Sequence, residues 1–227
     1  LNTNELYGRN LTAGALDVMG QYYSVASSSH AFYNYGGLVY TGNDEKALFD
    51  NMWQKCYAVI ACCNTIIEKC DENKAGLSPV WRGSIKGEAL ALRAMLHFDL
   101  LRLFGPLTSE LDKESIPYQT NSDQTVTPLL SGSEVVGLIL DDLKNAVGLL
   151  KDTDPYFVEE EFSDTDLNYR RFRMNYFAAK GLMARVQLWG GDKEKAAATA
   201  KEVIAEGQAE GAEFFPFVTN SEATSSN

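Results

Sequence analysis

Residues 79–104 constrain the chain most, because they spell out one long helix together with both of its ends. Ala89, Leu92, Leu96, Leu100 and Leu103 recur at three- and four-residue spacing, the period that lines side chains along one helix face. Ser78 suits an N-cap, Pro79 suits the first helical position, and Gly105-Pro106 ends the segment. The same period puts Arg82, Lys86, Arg93 and His97 on the opposite side, toward solvent, where Asp99 and Arg102 are spaced to pair. A helix of this length with one apolar stripe needs partners to bury it.

Other windows supply them. In 44–71, Phe49, Cys56, Cys63 and Cys70 share one heptad position, Trp53, Ile60 and Ile67 share another, and Met52, Val59 and Ile66 widen the stripe. Residues 131–151 open with Ser131 and Glu134 in capping-box spacing and continue with Val135, Leu138, Ile139, Leu143, Val147 and Leu150 on one face. Their neighbours Asp141 and Asp142 read as solvated charge. Residues 174–206 read as two helices joined at Gly190-Gly191-Asp192, with Asp192 placed to cap the second. That pair is similar to a tetratricopeptide hairpin, although Lys180 and Gln187 stand where aromatic residues are expected. Residues 2–26 read as a first helix, with Asn2 and Glu5 in capping spacing and Leu6, Ala13, Leu16, Met19 and Tyr23 on one side. Gly8, Gly14 and Gly20 weaken it. One hairpin cannot bury its faces alone. The expectation is an all-α fold of tetratricopeptide-like hairpins stacked in a right-handed array with long loops. It forms one domain over 1–227: a first helix and aromatic loop (1–43), core helices (44–151) and the hairpin (174–207).

Charge and cysteine usage narrow the function. Lys+Arg 20 against Asp+Glu 31 gives a net charge of −11, which repels phosphate backbones and argues against nucleic acid as a partner. No apolar run reaches the length of a membrane span. On one helix, Cys56, Cys63 and Cys70 lie about 10 Å apart per step along the axis, too far for a disulfide or a shared metal, and all four cysteines read as small buried hydrophobes. Asp164 to Asn168 begin like a calcium loop, but Tyr169 stands where that loop needs glycine and Asn175 where it needs a bidentate Glu. Arg170, Arg171 and Arg173 follow, positioned to neutralise the nearby carboxylates. The chain has only His30 and His97, with no nucleophile or metal-ligand spacing beside them. No catalytic residue, metal or cofactor is expected.

Ligand chemistry concentrates in 27–43, SSSHAFYNYGGLVYTGN, where four aromatic residues sit among serines and glycines. Flat rings suit the C–H faces of sugars and amides suit hydroxyls, which singles out Phe32, Tyr33, Asn34, Tyr35 and Tyr40. The same rings could equally plug the loop onto the helices. Residues 107–130 read as a long irregular connection, on which Tyr118 and Gln119 are secondary candidates.

Gly87-Glu88-Ala89, Leu92-Arg93-Ala94, Phe98-Asp99-Leu100 and Arg102-Leu103-Phe104-Gly105 together resemble the signature helix of the SusD/RagB family. Trp53, Tyr57, Ile60 and Asn64 resemble the family's preceding helix, with Asn64 a structural hydrogen-bonder. Ala178-Ala179, Ala184-Arg185-Val186 and Leu188 to Asp192 resemble a later family motif. Met95-Leu96-His97 departs from the aromatic residues usual there. The resemblance implies a lipid-anchored, surface-exposed outer-membrane protein of Bacteroidetes that binds glycan or another nutrient and passes it to a TonB-dependent (SusC-like) transporter. It also implies an anchor cysteine ahead of Leu1 and a further, C-terminal half. On the repeat pattern alone, the alternative is a tetratricopeptide-type protein–protein interaction scaffold.

Overall fold

The computed structural model of the 227-residue chain describes residues 1–123, 125–154, 170 and 172–208. Its elements are α1 (Ala15–Met19), α2 (Tyr33–Gly36), α3 (Asn43–Glu72), α4 (Pro79–Phe104), β1 (Glu114–Pro117), β2 (Leu129–Ser131), α5 (Gly132–Thr153), α6 (Tyr176–Trp189) and α7 (Lys193–Gly207). The long helices stack in chain order, α3 on α4, α4 on α5, α5 on α6 and α6 on α7. The fold is all-α and tetratricopeptide-like, with one short β ribbon inserted.

The helix ends follow the local chemistry of the sequence. Ser78 accepts from Trp81 N at 3.3 Å and Pro79 opens α4. Ser131 and Glu134 close a full capping box on α5, while Asn175 and Asp192 cap α6 and α7 by accepting from Ala178 N and Lys195 N. Each such cap satisfies a helix N–H that would otherwise lack a partner.

Four expectations are corrected. The first helix shrinks to α1, with residues 3–12 coiling through turns: Gly8 N donates to Thr3 O, and Leu11 N to Leu6 O. An added Cβ on Gly8 would lie 2.6 Å from Thr3 O. Tyr23, expected on that helix's apolar side, is instead exposed. The 107–130 connection is not wholly irregular, because β1 pairs antiparallel with β2, Glu114 opposite Ser131 and Pro117 opposite Leu129. Ile116 points from this ribbon into the core and is fully buried. Strands this short leave almost no alternation to read in the sequence.

The other two corrections concern burial. Arg93 and His97 do not face solvent, and Asp142 is not solvated; all three are buried. Helix α4 lies beneath α3, α5, β1 and α6, so its polar side is covered as well as its apolar stripe. Among the cysteines, Cys56, Cys63 and Cys70 are buried and unbridged, but Cys62 is exposed. Burial pushes the Cys56 thiol up to about 12 and the Cys63 thiol up to about 11.

Asn64 plays the structural role expected of it, donating to Gln119 O and Asn121 O and accepting from Arg93. Arg170 forms ion pairs with Asp154 and Glu88, and Arg173 pairs with Glu88. The acidic residues 159–161, the calcium-loop phrase at 164–168, Arg171 and the apolar cluster at 214–218 lie outside the described residues. Where aromatic residues were expected in the last hairpin, Lys180 ion-pairs with Glu202 and Glu206, and Gln187 accepts from Thr199 at 2.9 Å. Polar pairs thus take the place of ring packing between α6 and α7.

Glycines set how closely α4 and α5 approach. A Cβ on Gly83 would lie 2.5 Å from Thr153 Cγ2, and one on Gly87 would lie 2.7 Å from Leu150 Cγ. Leu150 is fully buried and has nowhere to retreat. Gly87→Ala should therefore lower stability by about 1–3 kcal/mol, against the gain of roughly 1 kcal/mol that Gly→Ala brings inside a free helix. Gly148, on the exposed side of α5 with nothing near its Cβ position, should show that gain undisguised. Urea midpoints of the two variants on opposite sides of the parent would bear this out; a stabilised Gly87→Ala would refute the close approach.

Candidate functional site

The aromatic loop is held by contacts that its own sequence supplies. Gln21 adopts the left-handed region at φ 62, which ends the chain's helical run after α1. Its side-chain Nε2 donates to Gly36 O at 2.9 Å and Val18 O at 3.4 Å. This stitches the segment after α1 to α2. Asn34 Nδ2 donates to Glu45 Oε1 at 2.7 Å, tying α2 to the first turn of α3. That bond, followed by the carboxylate's contact with its own backbone, holds the Glu45 carboxyl below the usual range.

Between these ties lies a recess of about 400 Å³ lined by Gln21, Tyr23, Ser24, Tyr33, Asn34 and Val39. Such a volume is at the small end of ligand pockets. Tyr33 and Tyr23 are 42% and 53% exposed, enough to offer ring faces to a bound molecule, and main-chain groups and amides stand between them. A second recess of about 550 Å³ adjoins Tyr23, His30 and Phe32.

The six residues singled out in the sequence separate by burial. Tyr33 and Asn34 reach solvent. Phe32 and Tyr40 are half-buried, Phe32 beneath the Arg9 guanidinium at 5.5 Å and Tyr40 edge-on to Phe49 at 5.5 Å. Tyr35 is only 2% exposed. It packs edge-to-face with Phe32 and Phe49 and donates to Asp44 O. Burial, then the Glu45 and Asp44 carboxylates, push its phenol up to about 12. Tyr118 is only 4% exposed and lies away from the loop, stacked on His97 at 3.9 Å with its hydroxyl donating to Asp142 at 2.6 Å. In this structure Tyr35 and Tyr118 are core side chains with no free ring face. Tyr22 and Tyr23, overlooked as candidates, are exposed because the helix that would have buried them ends at Met19. The glycine at position 20 was the available signal.

A cavity of about 940 Å³ opens between the N-terminal turns, α4 and α6 and is lined by none of those six residues. Leu11, Leu16, Met95, Leu103 and Leu182 line much of it. Its Tyr7, Asp99 and Arg102 satisfy one another, with Tyr7 donating to Asp99 at 2.6 Å and Arg102 to the same carboxylate at 3.1 Å. Among the described residues no group of His, Cys, Asp and Glu is arranged to hold a metal, and no helix is long and apolar enough to cross a membrane.

Compared with known families, residues 14–188 match a SusD-like family model described as starch-binding and associating with the outer membrane. The chain belongs to the SusD-like family. Among SusD-like relatives, protein P38 of Formosa agariphila is 34% identical over 96 residues, 41% of this chain and 17% of that protein. A SusD-like protein of Bacteroides ovatus is 29% identical over 146 residues, 63% of this chain and 23% of that protein. The chain thus spans less than a quarter of the length of these SusD-like relatives. A solved SusD-like carbohydrate-binding protein from Bacteroides vulgatus superposes with a TM-score of 0.71 at 23% identity, covering 98% of this chain and 43% of the other. A structure solved with xylogluco-oligosaccharide gives a TM-score of 0.62 at 23% identity and covers 86% of this chain and 36% of the other. Both likenesses are of fold.

Proposed function

We propose that the chain captures glycan through its N-terminal aromatic loop, as part of a lipid-anchored SusD-like protein at the outer-membrane surface that delivers the glycan to a TonB-dependent transporter. The observation that carries this reading is the recess between Tyr23 and Tyr33, built on a chain of a family described as starch-binding. A structure of similar fold solved with xylogluco-oligosaccharide adds support. Capture involves no bond chemistry. Rings at Tyr23 and Tyr33 cover the C–H faces of sugar units while Asn34, Ser24 and the loop backbone bond to hydroxyls, and the stacked hairpins serve as the surface that meets the transporter.

Native affinity electrophoresis of the 227-residue chain through gels containing starch, xyloglucan or laminarin tests this. Retardation in at least one gel, without cleavage of the polysaccharide, is the expected result. Tyr33→Ala and Tyr23→Ala should each weaken binding roughly 2- to 10-fold, the worth of one ring contact, without shifting thermal unfolding. Parental retardation in both variants would remove the site from this loop. No retardation in any gel would favour a protein-binding role for the repeat surface.

A further inference from the structure

Another recess, where α3 meets the end of β1 and the segment after it, has ligand chemistry that the aromatic loop does not account for. Its floor is Trp53 and Tyr57, one turn apart on α3, with ring centroids 4.9 Å apart and planes inclined at 49°. Both rings are half-buried and fixed from behind. Trp53 meets Phe104 edge-to-face at 5.1 Å, and the Tyr57 hydroxyl donates to Pro117 O at 2.8 Å. The facing wall is the segment after β1. Asn64 holds its Gln119 and Asn121 carbonyls at 3.2 and 2.8 Å, and Glu68 accepts from both Ser122 N and Ser122 Oγ. The wall is thus fastened to α3 through main-chain and serine groups, while Asn121, whose Oδ1 accepts from Gln119 Nε2, and Asp123 line the opening. Thr125 and Thr127 complete an opening of about 300 Å³.

The charge of this rim is specific. None of its lining residues is Lys or Arg, and one is Asp123, whose carboxyl is held below the usual range by the Thr125 hydroxyl and amide. Glu68, bonded to the adjacent Ser122, adds a further carboxylate on a chain of net charge −11. An acidic saccharide would bring like charge to this carboxylate, whereas a neutral one would offer hydroxyl donors to it and C–H faces to the two rings.

The recess also belongs to a continuous aromatic seam. Phe49, Trp53 and Tyr57 repeat every four residues along α3, about 6 Å of helix per step. Ring contacts run from Tyr40 to Phe49 at 5.5 Å, from Phe49 to Phe104 at 6.4 Å and from Phe104 to Trp53 at 5.1 Å. The aromatic loop stands at one end of this seam and the Trp53–Tyr57 recess at the other.

We infer that the groove formed by Trp53, Tyr57, Asn121, Asp123 and Thr125 is a second saccharide subsite, selective for neutral sugar units over acidic ones. The inference rests on the glycan reading above and extends it to a chain held at two points. Heteronuclear NMR of the 227-residue chain separates the two readings, with maltoheptaose, xylogluco-oligosaccharide and laminarihexaose as neutral probes and oligogalacturonate as the acidic one. Titration with at least one neutral probe should move the Trp53 indole N–H and the Asn121 side-chain amide. Oligogalacturonate should leave both in place. Asp123→Ala and Asn121→Ala, both at exposed positions, should weaken the Trp53 response at least threefold while leaving shifts at Tyr33 and Asn34 unchanged. Trp53→Phe, which keeps a ring on the floor but removes the indole N–H, should keep the shift of the Asn121 side-chain amide. Shifts confined to the Tyr33 loop would overturn the second subsite and spare the glycan reading. Equal response to oligogalacturonate would overturn the selectivity, and silence at every residue with all four probes would overturn both readings.

Discussion

Arg93→Leu should lower the free energy of unfolding by about 3–5 kcal/mol, the usual consequence of leaving one member of a buried ion pair alone. For a chain of this size that is a fall of roughly 6–20 °C in Tm. The guanidinium makes a two-pronged contact with Asp142, Nε to Oδ2 and Nη2 to Oδ1, both at 2.7 Å. Nη1 reaches Asn64 Oδ1 at 2.8 Å and Thr120 O at 3.3 Å. One side chain on α4 therefore joins α3, α5 and the segment after β1. Without it, Asp142 retains only the Tyr118 hydroxyl among its side-chain partners and remains a buried carboxylate. Arg93→Leu combined with Asp142→Leu should recover part of the loss, because no charge is then left unpaired. The recovery is partial, since Asn64 and Tyr118 would each still lack a partner. Urea unfolding of the two variants and their parent measures both effects. If Arg93→Leu unfolded within about 0.5 kcal/mol of the parent, or the double variant were no more stable than the single, the network would not be holding these elements together.

The same network marks the boundary of what could be read from sequence. Caps at Ser78, Ser131 and Asp192 were legible because each acts on an N–H three residues away, and the helix faces were legible because their period is local. Arg93 and Asp142 are 49 residues apart, so nothing within a helical window distinguishes them from the solvated charges they resemble. Burial on both sides of α4 is a property of the stack. A stripe on one helix cannot say how many neighbours will cover the other face. The aromatic loop was legible as a concentration of rings, but not as to which of them point outward. Tyr33 and Tyr35 are two residues apart in a single helical turn and end up on opposite sides of it. Trp53 was legible only as a core position and Tyr57 only through the family resemblance, because the polar residues around the recess come more than 60 positions later. The first helix expected over 2–26 shrank to α1 for the opposite reason: glycines at 8, 14 and 20 carried more weight than the apolar spacing around them.

Acidification provides the other large effect, through His97. The imidazole is fully buried, with Nδ1 2.9 Å from Arg93 O and Nε2 3.1 Å from Gln119 N. The Gln119 amide can only donate, so Nε2 accepts and Nδ1 carries the proton toward the Arg93 carbonyl. Tyr118 is stacked on the ring and Tyr57 stands edge-on to it. Burial first, and then the Arg93 charge, pull His97 down from 6.5 to about 3, although the bond to Arg93 O works the other way. The sign follows directly: below pH 6.5 the unfolded chain takes up a proton that the folded chain refuses until about pH 3. Stability is therefore complete above pH 6.5 and falls with pH by up to about 1.4 kcal/mol per unit through that window. Between pH 7.5 and 5, where ordinary carboxylates are still ionised, this single proton costs about 2 kcal/mol. Denaturant unfolding across that range should show the slope in the parent and lose most of it in His97→Gln; an equal slope in both would remove His97 as the cause. A proton on Nε2 would meet the Gln119 N–H, so the first contact to be lost is the one fastening the segment after β1 to α4. On the two-site reading, the Trp53 response to a neutral saccharide should hold through the pH 7.5–5 range and weaken only as the pH nears about 3, where the folded chain takes up the proton, and before the response at Tyr33 does, because the Tyr33 loop is tied to α3 through Asn34 and Glu45.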